Sequence, residues 1–468
     1  MTTVDEVETP LHTTWSGRLI GLVSVLVLVN FMVDTAISAP LIVLPQMLDH
    51  FGTDQAARLN ASAMLAGAMW APLLGKSADV HGKRKVLVLT LLISCAGALV
   101  CAVAPTTWVF VVGRLLQGSA VAALFLTVAI VRDVCAPRLA MVAVGIVTSG
   151  SAVLNIVSRF AAEKLAAENG FQVLFVISGA VAAAMALTVR AVVSESAITT
   201  PGRIDFAGAA LLGTGLIGVL SCISLGSELG PLHPAPVSLL VVGAAALTGW
   251  WSTSRRKAEP LIDVRGLGGP LLLTLLIVVL ATGAYQSLLQ LLPQVGDVPL
   301  SLGLGYGLGG QGSLATLLAA PALGVMIGGP LAGALAGRVG PVPTLTGAVG
   351  LGTIGSLGML AGVSSFPVAA VFALLLGFTV GALGTSGFNV AGELAPASRR
   401  ATVSSLVMVV VAVGSVVFNF AATAVLQATA LPAGNSSSGV FGWIAVCAIA
   451  FGLSTVLAVA LTRRQLSS

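Results

Sequence analysis

Three charged side chains stand in stretches of sequence that are otherwise apolar or small: Asp34, Arg114 and Arg159. If such stretches cross a bilayer, an ionisable group inside one costs about 2.5–3.5 kcal/mol on insertion scales, so each needs a reason to be there. The chemistry on offer is proton exchange and ion pairing. Asp34 is the only carboxylate expected well inside a span, about ten residues or roughly 15 Å from its outer end, and Arg114 stands about seven residues or roughly 10 Å from the outer end of its own. Opposite charges at similar depth are expected to pair. In the coupling reading Asp34 is protonated in one state and bound to Arg114 in the other, which changes the energy of opening to either side. In the plainer reading the two form a permanent structural ion pair with a depressed carboxylate pKa. Arg159, close to the outer end of its span, either snorkels to the interface or sits in a cavity mouth where it attracts an anionic group. Asn30, Gln117, Asn155, Gln286, Gln290, Asn389 and Asn419 are candidates for the substrate path, each also explicable as an interhelical hydrogen bond.

These residues need long apolar helices to hold them, and the composition supplies them. Of 468 residues 57% are hydrophobic and 8% charged, and the mean hydropathy is +1.04. That is too little charge to cover a soluble protein of this length. The apolar residues fall in unbroken blocks such as Leu271–Leu280 and Val403–Val417, the pattern of helices apolar all round and surrounded by lipid. Met1–Ser16 is polar and acidic, so the first apolar block is expected to remain as an anchor. Spans of about 20 residues are expected near 19–44, 58–75, 86–104, 107–131, 139–161, 172–190, 205–226, 235–252, 269–293, 313–336, 342–362, 366–390, 401–428 and 439–462. With fourteen spans, eighteen of the 22 Lys and Arg residues fall in loops on one side; Arg58 and Lys164 fall opposite, and Arg114 and Arg159 within helices. By the positive-inside rule both termini are then cytoplasmic. A twelve-span variant that drops the seventh and eighth helices keeps the same alternation. The five cysteines have neither paired nor metal-ligand spacing and read as small packing residues.

The connection after the second span reads Gly75-Lys-Ser-Ala-Asp79-Val-His-Gly82-Lys83-Arg84-Lys85. Gly75 allows helices to approach, Gly82 permits a tight turn, and Asp79 can pair with a cation or cap a helix end; together with Lys83 and Arg84 they form a candidate conformational latch. The plainer reading is a basic loop obeying the positive-inside rule. A degenerate copy, Gly333-Ala-Leu-Ala-Gly337-Arg338-Val-Gly340, follows the tenth span with Gly337 at the acidic position. The first sequence resembles the major facilitator signature G-x-x-x-D-x-x-G-[RK]-[RK], and Arg114-Leu-Leu-Gln117-Gly118 is similar to that superfamily's R-x-x-Q-G motif. Asn30 to Asp34-Thr35, then Leu44-Pro45, with Arg203-Ile-Asp205-Phe-Ala-Gly208 and Pro260-Leu-Ile-Asp263, resemble the fourteen-span drug:proton antiporter branch. The helix 5 pattern of that branch, G-x-x-x-G-P-x-x-G-G, is absent: Gly150-Ser-Ala-Val-Leu154-Asn155-Ile-Val-Ser158-Arg159 keeps only its first glycine.

The resemblance implies an all-α polytopic membrane protein of the major facilitator fold, with two six-helix halves and two extra linker helices. The expected division is a cytoplasmic tail (1–18), an N-terminal half (19–190), a linker hairpin with flanking loops (191–268), a C-terminal half (269–462) and a second tail (463–468). Helices 1 and 4 line a shared central cavity in that superfamily, which brings Asp34 and Arg114 together. The implied function is secondary transport by alternating access in a bacterial plasma membrane, with proton-coupled export of amphipathic small molecules and hence multidrug efflux and antibiotic resistance. The alternative, favoured by the lost helix 5 pattern and by Arg159, is an importer or facilitator of an organic solute, including an anionic one. The sequence holds no G-x-x-x-x-G-K-[ST] loop for ATP, and its four histidines are too scattered for a metal. It has no nucleophile elbow for an enzyme. The expected partners are a small-molecule substrate, protons and lipid, with no cofactor, metal or nucleic acid, and the chain is expected to act as a monomer.

Overall fold

The computed structural model describes residues 12–53, 56–196, 199–230, 233–257, 259–263, 268–296, 306, 313–429 and 436–466; the side chains of Arg58 and Arg159, and the whole of Arg265, lie outside the described residues. Every described element is helical apart from one isolated bridge between His12 and Cys135. The α-helices are α1 (Gly17–Phe51), α2 (Ala56–His81), α3 (Lys83–Ala102), α4 (Thr107–Gln117), α5 (Val121–Val134), α6 (Pro137–Ser149), α7 (Ala152–Asn169), α8 (Gln172–Val192), α9 (Phe206–Leu229), α10 (Pro234–Arg256), α11 (Gly269–Gly296), α12 (Ser313–Val339), α13 (Pro341–Gly362), α14 (Phe366–Leu394), α15 (Arg400–Ala428) and α16 (Ser437–Leu466). A 3-10 turn, Gly118–Ala120, joins α4 to α5, and a short break at Gly150–Ser151 separates α6 from α7.

Local chemistry sets the ends. Ser16 and Thr106 accept hydrogen bonds from Leu19 N and Val109 N at the starts of α1 and α4, and prolines open α6, α10 and α13 where their missing N–H is harmless. Gly52, in the left-handed region at φ 58°, ends α1. Two expected boundaries move. The first span was expected to stop near residue 44, but α1 runs through Pro40 and Pro45 to Phe51. The connection after the second span was expected to be a loop. Gly75 and Asp79 instead lie on the last turns of α2, and Gly82 alone separates α2 from α3. Gly82 has φ 100°, which only glycine adopts cheaply.

Twelve stretches are long and apolar enough to cross a membrane, among the described residues and by length and composition alone. This is two fewer than expected. The helices that fall outside the twelve are α2, diluted by Arg58, Asn60, Lys76 and Asp79, and α9, whose apolar stretch covers only Phe206–Cys222. The chain is thus a multi-pass all-helical protein, and a count of fourteen spans is not established.

The packing brings α2 and α9 against α15, α12 against α6 and α14, and α3 against α8, while α10 lies outermost on α9. One end of the bundle, where α2 meets α3, is drawn shut by polar contacts between the α1–α8 and α11–α16 groups. We call it the latch end.

Candidate functional site

Two neutral donors reach the carboxylate of Asp34. Asp34 Oδ2 accepts from Ser151 Oγ at 2.9 Å and from Asn155 Nδ2 at 2.7 Å. Ser151 sits in the break between α6 and α7 and Asn155 on the first turn of α7, so the break aims both donors at α1. One turn towards the latch end, Asn30 donates to Val147 O at 2.8 Å and its Oδ1 accepts from Thr127 Oγ1 at 3.3 Å. Thr148 Oγ1 and Thr385 Oγ1, 3.1 Å apart, extend this polar layer to α14. Thr148 is about 16 Å along α6 from the latch end at 1.5 Å per residue. The layer therefore sits in mid-bundle.

The expected ion pair between Asp34 and Arg114 is not formed. Arg114 is fully buried, and its Nη1 donates to Ala36 O at 2.8 Å and to Gln117 Oε1 at 2.7 Å, while Nη2 donates to Ile37 O at 3.3 Å. The reason is in α1. Pro40 has no N–H, so the Ala36 carbonyl lacks its partner four residues on, and a buried carbonyl must be satisfied elsewhere. Arg114 fills that need across the interface between α1 and α4.

The remaining candidates separate. The polar groups of Asn30 and Gln117 are engaged within the protein, Gln117 bridging Arg114 and Ser178. Asn389 belongs to the latch end, where its Oδ1 accepts from Arg132 Nη2 at 2.8 Å and its Nδ2 is buried without a partner. Asn419 is half-buried on α15 with its Oδ1 in the same condition. Gln286 is half-buried and Gln290 exposed, both on α11. The Arg159 side chain lies outside the described residues. The structure thus groups Asp34 with Asn155 and adds Ser151, Thr148 and Thr385. Their one signal in the sequence is the hydroxyl-rich run Thr148-Ser149-Gly150-Ser151.

At the latch end Asp79 reaches across to the N-terminus of α15. Its Oδ1 accepts from Ala401 N at 3.1 Å, and its Oδ2 from Thr402 N at 2.9 Å and Thr402 Oγ1 at 2.6 Å. A carboxylate there satisfies orphan amides and meets the positive end of the helix dipole. A Cβ on Gly75 would stand 2.9 Å from Ser405 Cβ and 3.0 Å from Ala401 O, so glycine permits the approach. Lys83, buried, pairs with Asp133 and also donates to Ser196 Oγ; Arg84 pairs with Glu195 at 3.5 Å. Arg400 Nη1 lies 3.6 Å from Asp133 Oδ1 and 3.3 Å from Arg132 O, and Thr200 Oγ1 donates to Ser398 O at 2.8 Å. Asp133, Glu195, Arg132 and Arg400 escaped sequence reasoning because loop charges read equally well as orientation signals.

No group of three or more His, Cys, Asp or Glu residues that could hold a metal occurs among the described residues.

Several known proteins resemble this chain. A uridine/deoxyuridine transporter of Lactococcus lactis subsp. cremoris (strain MG1363) is 28% identical over 323 residues, covering 66% of each chain. A D-xylose transporter of Levilactobacillus brevis is 31% identical over 93 residues, 20% of each chain. The chain therefore spans just under two thirds of the first relative's length and one fifth of the second's. The crystal structure of the human organic anion transporter MFSD10 (TETRAN) matches with a TM-score of 0.67 at 18% identity, over 95% of this chain and 100% of that one. At that identity the match shows the fold. The two relatives are named for a nucleoside and a sugar, so the expected efflux and antiporter function finds no support here. The Major Facilitator Superfamily model matches residues 26–419, most of the chain including the Asp34 cluster and the Asp79 latch, and the protein belongs to that superfamily of secondary transporters.

Proposed function

We propose that this transporter takes up a small polar organic solute of the nucleoside or sugar class, with Asp34 carrying the coupled proton. The observation that carries the reading is the Asp34 cluster. Its carboxylate accepts from the hydroxyl of Ser151 and the amide of Asn155, and Thr148 and Thr385 add a pair of hydroxyls in the same mid-bundle stretch of α6 and α14, whereas amphipathic drugs are held chiefly by apolar and aromatic walls. Hydroxyl-rich solutes need such donors and acceptors, and the names of the two curated relatives point the same way. Asn155 spends one amide proton on Asp34, which leaves its carbonyl to accept from a solute N–H or O–H. When Asp34 takes a proton, its hold on Ser151 and Asn155 loosens, which ties the proton to the solute contact. Gln286, Gln290, Asn419 and, from its place in the sequence, Arg159 complete the proposed solute path.

We read the latch end as cytoplasmic, from the eighteen-to-two split of basic residues. On that reading α2 and α9, at 26 and 24 residues, also cross the bilayer, both termini are cytoplasmic, and α9–α10 form a hairpin beside two six-helix halves. Membership of the superfamily supports a chain that works without a cofactor. Uptake of radiolabelled uridine and xylose into proteoliposomes, with and without an inward proton gradient, tests the proposal. Gradient-enhanced uptake of either is expected. Failure with both, alongside proton-driven transport of a lipophilic dye, would restore the export reading.

A further inference from the structure

The two seams that shut the latch end are copies of one arrangement, and one of them lacks its acid. In the first seam α2 lies on α15: Gly75 packs on Ala401 and Ser405, and Asp79, one turn on, caps the amides of Ala401 and Thr402. In the second α12 lies on α6. A Cβ on Gly333 would meet Met141 O at 2.3 Å and Val142 Cα at 2.9 Å, so Gly333 corresponds to Gly75. Gly337, one turn on, corresponds to Asp79, and it faces Arg138 O. Ala401 and Thr402 are the second and third residues of α15, and Arg138 and Leu139 hold the same places in α6. The start of α6 has Ala136 at its cap position and no side-chain hydrogen bond there. Space is not the obstacle: a Cβ on Gly337 would lie 3.6 Å from Arg138 O, an ordinary contact, with nothing else within 4 Å.

We infer that the seam between α12 and α6 is built to part first when the latch end opens, because Gly337 withholds the carboxylate that locks its twin. A first-turn carboxylate satisfies amides that otherwise need water and is favoured by the helix dipole. The first seam must break that cap to open. Among the described residues the second has no side-chain hydrogen bond between α12 and α6 to break, only packing, with Gly329 and Gly333 set directly on α6. Supplying the acid at 337 therefore locks the second seam and holds the whole end shut.

Distance measurement by pulsed electron paramagnetic resonance in nanodiscs tests this without any solute. Spin labels at Arg138→Cys and Val339→Cys report the second seam, and labels at Lys76→Cys and Ser398→Cys the first, on a background with the five native cysteines replaced. Gly337→Asp should cut the long-distance population across the second seam at least fivefold, while Gly337→Ala leaves it at the parent level. Gly337→Asn, whose side chain also caps, should fall between them and serves if the aspartate variant does not fold. In the parent, the long-distance population should be larger across the second seam than across the first. Equal populations in Gly337→Asp and Gly337→Ala, or earlier parting of the first seam, would overturn the inference.

Discussion

Asp34 and Asp79 are both carboxylates with two or three short hydrogen bonds, and the origin of the donors separates their roles. Asp34 is held by Ser151 and Asn155, side chains of the same group of helices, α1–α8. Asp79 is held by Ala401 and Thr402, backbone and side chain of the opposite group, α11–α16. Relative motion of the two groups must break the Asp79 contacts, whereas the bonds from Ser151 and Asn155 to Asp34 lie within one group. On the function proposed above, Asp79 would follow opening and Asp34 would follow protonation.

The contrast is sharpened by substitutions of decreasing effect. Arg114→Ala should be the most damaging, because it orphans the Ala36 carbonyl and empties a fully buried site. The carbonyl alone costs about 1–3 kcal/mol, so folded yield in detergent, read by size-exclusion chromatography, should drop sharply. Normal yield would show that α1 does not depend on Arg114. Asn155→Ala should express well yet reduce solute uptake about tenfold or more, equivalent to the ~1.4 kcal/mol of one polar contact; parent-level uptake would remove Asn155 from the site. Asp79→Asn keeps one acceptor oxygen and loses the charge at the start of α15, a difference of about 1 kcal/mol. The latch end should then re-close less readily, so transport should slow roughly fivefold while equilibrium solute binding stays unchanged. An unchanged turnover would mean that closure of this seam does not limit transport.

The smallest effect is expected outside the spans. Burial pushes the Asp205 carboxyl up, but the hydrogen bond and charge of Lys257 and the amide of Gly208 outweigh it and hold the carboxyl below its ordinary value. A depressed folded-state pKa contributes stability above the unfolded value that is lost as pH falls through the folded one. Asp205→Asn should thus lower the melting temperature slightly at pH 7 and by less near pH 3. An equal loss at both values would show that the charge contributes nothing.

Much of this was legible in the sequence, and the failures have physical causes. The superfamily and the helical architecture follow from long apolar blocks and from the spacing of Gly75, Asp79 and Gly82. The partners of Asp79 do not, because they are backbone amides some 320 residues away, and an amide has no signature in sequence. The pairing of Asp34 with Arg114 rests on depth, opposite charge and the cavity that helices 1 and 4 share in the superfamily. It is not formed in this structure, where Pro40 frees the Ala36 carbonyl and Arg114 donates to it. The lost helix 5 pattern and Arg159 are the sequence signals that favour the import alternative over drug export.

The most direct test of the account is solute accumulation by Asp34→Asn in proteoliposomes under an imposed inward proton gradient, with uridine counterflow measured in parallel. The account predicts that the parent concentrates uridine against its gradient, whereas the variant exchanges it by counterflow and never exceeds equilibrium. Uphill accumulation by Asp34→Asn at the parent level would contradict it, because the proton would then travel without Asp34.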